Sequence, residues 1–250
     1  MVSCQQVREY IENEHGEVYT LSGVNKLLCR LGYSFKQLSL FPSKLDVVKQ
    51  EEFVAQYRSL EKELTDQKVI LFMDGVHPQH NTSSCRVWSK RGEKKFIPSN
   101  SGRQRINLNG LYNPHNQDVI IREDDSINAQ STIALLNMAM EQYTDKKHIY
   151  FISDNARYYK CKLVNEFLDK HKEKISLIFL PPYSPNLNLI ERLWKFLRKK
   201  TIHTHYYEKF ADFRKAIFEQ IDDLENQKAE LKTFIGKEFQ LFEIGNLNFI

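Results

Sequence analysis

The chain has 250 residues, 41% of them hydrophobic, and its 36 Lys and Arg outweigh its 32 Asp and Glu for a formal net charge of +4. That much apolar material beside plentiful charge of both signs excludes general disorder and suits one good-sized domain with an appendage, or two small ones. No apolar run approaches the ~20 residues a membrane-spanning helix needs, and the polar, acid-bearing N-terminus is no signal peptide, so a cytoplasmic protein with no membrane partner is expected.

Residues 3–13 read as a helix, with Val7, Tyr10 and Ile11 at helical spacing and Gly16 as its stop. A second helix, capped by Thr20 or Ser22, runs through Val24, Leu27, Leu28 and Leu31 to Gly32. It carries Lys26 and Arg30, which suits either half of a helix-turn-helix DNA reader or an ordinary helical hairpin. After a connector ending at Pro42, residues 44–66, with Val47, Val48, Phe53, Tyr57, Leu60 and Leu64 among Lys, Glu and Gln, are expected to form an amphipathic linker helix. From Lys68 the pattern changes to strands at 69–73, 86–89, 107–112 and 119–121, then a buried helix over 131–143. A strand at 148–153, a helix at 161–171, a strand at 176–180 and a helix from Asn188 to about Lys200 follow, and residues 210–242 read as charged amphipathic helix. This order predicts an α/β fold, a mixed sheet with helices on its faces. The runs 69–73 and 148–153 lack alternation and should be buried on both sides.

Cys4, Cys29, Cys85 and Cys161 stand far apart with no C-x-x-C pair, so free thiols are expected rather than zinc or disulfides. Basic charge is concentrated locally. Residues 86–105 hold Arg86, Lys90, Arg91, Lys94, Lys95, Arg103 and Arg105 against Glu93 alone, and Lys195 and Arg198 follow in the helix expected from Asn188 to about Lys200. Such concentrations suit a polyanion, although short charge runs are also ordinary solvated surface. Glu123-Asp124-Asp125 sits in an expected turn and reads as solvated, and His77 and His80 read as loop-shaping or DNA-contacting.

Three carboxylates stand out by place. Asp74 follows VILFM and Asp154 follows IYFIS, so each should emerge at the carboxyl end of a central strand, where open α/β sheets build their sites. Glu191 lies on a helix just after the third dense strand. If they converge, the cluster must take up protons or bind cations, and oxygen donors suit Mg²⁺ or Mn²⁺, as two ions in phosphodiester chemistry. Taken singly, each has a plain structural reading. Asp74-Gly75 and Asp154-Asn155 could be strand-ending turns, and Asn188 with Glu191 could be a capping box.

The segments LFMDGVHPQHN, ISDNARYYK and LIFLPPYSPNLNLIERLWKFLRK together resemble the three acidic motifs of the IS630/Tc1/mariner transposases. The resemblance covers roughly residues 68–200 and implies a ribonuclease H-like fold with Asp74, Asp154 and Glu191 as catalytic and metal-binding residues; 36 residues separate the last two. It implies a DNA transposase that cuts transposon ends and transfers strands into target DNA, with two Mg²⁺ or Mn²⁺ ions. It also implies a homodimer on DNA, TA-containing targets and a bacterial cytoplasm or nucleoid. Lys26, Arg30, Lys195, Arg198 and the basic residues of 86–105 would bind the DNA. The layout expected is a partial helix-turn-helix or winged-helix segment at 1–43, a linker helix at 44–67, the catalytic domain at 68–205 and a helical extension at 206–250. Two departures stand out: Tyr158 and Tyr159 lie where the second motif often carries His, and Met1 falls where a first helix-turn-helix would normally have finished. A truncated or domesticated DNA-binding derivative, or another ribonuclease H-like nuclease, shares parts of this pattern.

Overall fold

Ser3 opens the first helix, α1 (Cys4–His15), with a full capping box: its Oγ accepts from the Gln6 N–H at 3.2 Å, and Gln6 Oε1 accepts from the Ser3 N–H at 2.8 Å. Gly16, at φ 68, closes the helix in the left-handed conformation that only glycine adopts without strain. Thr20 rather than Ser22 caps α2 (Leu21–Arg30), accepting from the Gly23 N–H at 3.0 Å. These two helices build one compact unit and the chain from Lys44 through the last helix builds a second. The computed structural model describes residues 3–35, 44–83, 86–203 and 205–241.

In the second unit a five-stranded mixed sheet carries the fold. Its strands are β1 (Lys68–Val76), β2 (Leu108–Tyr112), β3 (Val119–Glu123), β4 (His148–Ser153) and β5 (Ile175–Phe179), in the order β3-β2-β1-β4-β5. The first three are antiparallel neighbours, whereas β1, β4 and β5 run parallel, and Met73 pairs with Ser153 at the end of the β1–β4 ladder. Val69–Met73 is buried throughout, as a central strand covered on both faces must be. One face carries Val69, Leu71 and Met73 against α4 (Ala129–Gln142) and α5 (Lys162–Lys170). The other carries Ile70 and Phe72 against α3 (Val47–Lys62), α6 (Ile190–Thr201) and α8 (Lys228–Ile235). Phe213 and Ile217 of α7 (Phe210–Asp222) cover Ile106 and Leu108 beside them. This mixed sheet flanked by helices is the expected ribonuclease H-like fold.

Four expectations need correction. Residues 86–89 form no strand: all are exposed, and the Ser89 hydroxyl donates to the carbonyls of Lys90 and Glu93, which favours a turn over a ladder. Strand β1 does not stop before Asp74; Asp74, Gly75 and Val76 still pair with Gly110, Asn109 and Leu108, because β2 extends past the end of β4. The C-terminal segment is two helices, broken where the Asp223 carboxylate accepts from the side chains of Asn226 and Gln227. The acidic run 123–125 is ion-paired rather than merely solvated: Arg122 grips both Asp124 oxygens at 3.0 Å, and Arg214 grips Glu123. Cys4, Cys29 and Cys161 are free, as expected, and Cys85 lies outside the described residues. Among the described residues, no helix is long and apolar enough to cross a membrane.

Candidate active site

Parallel register brings the first two carboxylates together. Met73 and Ser153 are the last pair of the β1–β4 ladder, and Asp74 and Asp154 each follow that pair directly. Adjacent strands lie about 4.8 Å apart, so the two residues start as neighbours. Asp74 stays partly covered, while Asp154 is exposed and its Oδ1 accepts from the Ala156 N–H at 3.0 Å.

Glu191 reaches the same place on α6. Leu193, Trp194 and Leu197 are buried along one side of that helix, each worth about 1.5–3 kcal/mol, which leaves Glu191 half-covered and Lys195 and Arg198 exposed on the other side. The capping-box alternative for Glu191 does not hold. The helix has no side-chain cap, and the Asn188 amide donates instead to the Met73 carbonyl at 3.5 Å. That bond ties the start of α6 to the strand residue just before Asp74.

Trp194 completes the link. Its indole N–H donates to Asp74 Oδ2 at 3.1 Å, so a residue read from sequence only as part of an apolar stripe also orients a carboxylate. Space for the ring comes from Gly110, the register partner of Asp74. A Cβ there would lie 2.6 Å from Trp194 Cη2. A glycine inside a strand often marks such close approach, and NLNGLY carried that signal.

The electrostatics fit this proximity. Burial, followed by the charges of Asp154 and Glu191, raises the Asp74 carboxyl to about 7, against the pull of the Gly75 N–H and the Trp194 indole. Glu191 is also raised, by burial and by Asp154, with Lys195 acting the other way. Tyr158 is raised to about 12 and Tyr159 well above the ordinary phenol range, mainly by burial, so both stay neutral and supply no base where a His often stands. Among the described residues no three His, Cys, Asp or Glu side chains already form a closed cage for an ion. Backbone register gathers the donors, and their tips remain apart.

Beside them opens a pocket of ≈ 450 Å³ whose rim includes Asp154, Glu191, Asn188 and the proline-rich turn 181–185. Two residues missed in the sequence, Asn155 and Gln50, hold that turn. Asn155 donates to the Leu180 carbonyl at 2.5 Å. Buried Gln50 of α3 donates to Ser184 Oγ at 2.8 Å and Asn186 Oδ1 at 3.1 Å. Tyr183, between them, takes φ 57, a strained conformation for an aromatic residue.

The expected DNA contacts are scattered by comparison. Lys26 and Arg30 are exposed on α2, in the first unit. Arg86, Lys90, Arg91, Lys94, Lys95, Arg103 and Arg105 are exposed along the excursion between β1 and β2, where Lys95 pairs with Glu93 at 3.1 Å. His80 is buried and shapes the loop, through contacts with the Tyr207 carbonyl and Asn100. His77 contacts Asn107 at 2.8 Å.

Comparison with known proteins agrees with this geometry. A winged helix-turn-helix family model matches residues 1–57. An uncharacterized 39 kDa protein of insertion element IS630 from Shigella sonnei is 26% identical over 160 residues, 64% of this chain. The chain spans 46% of that relative's length. The Mos1 strand transfer complex superposes with a TM-score of 0.62 at 16% identity, covering 96% of this chain and 75% of that one. Mos1 mariner paired end complexes with Mn and with Mg each give 0.64 at 16% identity, covering 96% of this chain and 76% of theirs. At that identity the likeness speaks for the fold. A DDE superfamily endonuclease model, however, matches residues 40–214, well over half of the chain. The chain belongs to the DDE superfamily of endonucleases.

Proposed function

We propose that the chain is a DNA transposase, cutting at transposon ends and joining the freed strand to target DNA, with Asp74, Asp154 and Glu191 as its catalytic carboxylates. The observation that carries this reading is the Met73–Ser153 register, which makes Asp74 and Asp154 neighbours, with the Trp194 tether from Asp74 to the helix that bears Glu191; Asp154 and Glu191 line one pocket. The donor set fits divalent cations. All three groups are oxygen ligands, and Asp74 and Glu191 are raised first by burial and then by neighbouring carboxylates, an unfavourable charge that Mg²⁺ or Mn²⁺ would offset. The Mg and Mn complexes of Mos1 support the same choice. Asp74, Asp154 and Glu191 would hold the ions, two of them as two-metal phosphodiester chemistry uses, and the ions would offset the charge of the scissile phosphate and the attacking oxygen.

The remaining work belongs to the chain. Trp194 keeps one Asp74 oxygen engaged, leaving the other for the ion. Lys195, one turn beyond Glu191, brings positive charge towards the same carboxylate and the DNA backbone. The turn 181–185, held by Gln50 and Asn155, walls the pocket against which the strand would lie. Two in-line displacements follow: water cuts the end, and the 3′-hydroxyl then attacks the target phosphodiester. The winged helix-turn-helix segment, with Lys26 and Arg30, would read the ends. A homodimer on the DNA, TA-containing targets and a bacterial cytoplasmic setting extend the same proposal.

Duplex DNA carrying the sequences that flank the reading frame tests it. Cleavage should require Mg²⁺ or Mn²⁺ and stop in excess EDTA. Full cleavage in EDTA would overturn the metal chemistry, and folded protein that binds this DNA but never cuts it would favour a domesticated DNA-binding derivative.

A further inference from the structure

Two turns along α6 from Glu191, a second pocket of ≈ 320 Å³ is lined mainly by polar groups: His77, Asn81, Thr82, Ser83 and Arg198. Its floor is the loop after β1, held by backbone pairing. The His80 N–H donates to the Gln104 carbonyl at 2.8 Å, the Ile106 N–H donates to the Pro78 carbonyl at 3.0 Å, and Ser83 bridges to His203. The ring of His77 is fixed as well. Asn107 spends its amide N–H groups on the carbonyls of Asp124 and Asp125, so its Oδ1 accepts from His77 Nδ1–H.

Within this frame several groups have no partner among the described residues. Thr82 Oγ1 and Asn81 Oδ1 are buried yet make no hydrogen bond among the described residues, and such atoms cost about 1–3 kcal/mol each unless a ligand or water meets them. Arg198 shows the same want of a partner. Its neighbours on α6 are engaged, Lys200 with Glu230 at 2.7 Å and Lys199 over the Phe234 ring, while the Arg198 guanidinium has no ion pair or hydrogen bond among the described residues. One exposed cation beside unused hydroxyls and a carboxamide, which can turn its Nδ2 inward, is the chemistry that recognises a phosphate.

We propose that this pocket binds one backbone phosphate of the DNA, with Arg198 as the counter-charge and Thr82, Ser83 and Asn81 as hydrogen-bonding partners. It rests on the reading that the chain acts on DNA, and adds to it a fixed second anchor. Arg198 lies seven residues beyond Glu191, about 10 Å along the helix. A strand laid along α6 would therefore be gripped about three nucleotides from the reacting phosphate, given the rise of roughly 3.4 Å per nucleotide. Such an anchor would set the register of the scissile bond without reading sequence.

The test is affinity for a short mixed-sequence duplex, measured by fluorescence anisotropy over a range of salt. Thr82→Val removes a hydroxyl without changing charge, and should weaken binding about tenfold with the salt slope unchanged. Arg198→Gln should make the slope shallower by about 0.9. Because both act on one phosphate, the double variant should weaken binding by clearly less than the product of the single effects, and Thr82→Ser should bind as the wild type does. A silent Thr82→Val, in protein with unchanged circular dichroism, would overturn the pocket and leave water as its occupant. Independent, multiplicative effects would overturn it too. Absence of duplex binding by the wild type would instead overturn the reading on which the pocket rests.

Discussion

Replacing Gly110 with alanine places a methyl group where the structure has an indole. The new Cβ would lie 2.6 Å from Trp194 Cη2 and 2.9 Å from Cζ2, against about 3.5–4.0 Å for carbon atoms in contact. The ring must retreat by about 1 Å, and overpacking of that kind costs about 1–3 kcal/mol. Retreat also draws the indole N–H away from Asp74 Oδ2, now at 3.1 Å, and a hydrogen bond to a charged acceptor is worth about 1.5–3 kcal/mol. With a combined loss of about 2.5–6 kcal/mol, Tm should fall by roughly 5–24 °C in a unit of this size. DNA cleavage should fall as well, while DNA affinity holds. Trp194→Phe supplies the decisive comparison, because phenylalanine lacks the ring edge that meets the new methyl. The double variant Gly110→Ala, Trp194→Phe should be more stable than Gly110→Ala alone, measured by thermal and urea unfolding. Simple additivity of the two losses would refute the claim that Gly110 exists to seat Trp194 against Asp74.

Asp74 also makes stability depend on pH. Its carboxyl is raised to about 7, so its contribution is fully present below the ordinary value near 3.9 and is lost as pH rises through about 7. In EDTA, Asp74→Asn should gain on the wild type between pH 5 and pH 8 by about 1–2 kcal/mol, allowing for solvent access; a gap that stays constant with pH would contradict this. Gln50→Leu keeps the bulk of the side chain but strips Ser184 and Asn186 of their partner. Stability should fall by about 1–3 kcal/mol, and cleavage should slow at unchanged DNA affinity, whereas unchanged cleavage kinetics would show that α3 does not hold the pocket wall.

Much of the fold was legible because apolar density marks central strands regardless of their neighbours. Val69–Met73 and the stripe of Leu193, Trp194 and Leu197 behave as their patterns require, and 148–153 is buried except at His148 and Tyr150, which are partly covered. Strand ends were less legible. Whether Asp74 ends β1 depends on how far β2 and β4 each extend, which is a property of pairing rather than of the residue. The excursion at 86–105 misled because Val87 and Trp88 look like strand residues, yet among the described residues no partner strand meets them and both are exposed. Within the site, residue types revealed the three acids, but the contacts that arrange them join distant segments. Gln50 meets the turn 134 residues further on, and Trp194 meets Asp74 across 120 residues. A polar atom on a mostly apolar stripe gives no local sign of its partner.

The most direct measurement compares Asp74→Asn, Asp154→Asn and Glu191→Gln for cleavage of end-bearing duplex DNA in Mg²⁺. Circular dichroism and duplex affinity should be recorded on the same preparations. Each substitution removes a charge while nearly preserving shape, so the fold should persist, and each should lower the cleavage rate by at least about a thousandfold, a loss of roughly 4 kcal/mol in transition-state stabilisation. Wild-type cleavage by any one of the three, in folded protein that still binds the duplex, would remove that carboxylate from the chemistry and contradict the site proposed for it.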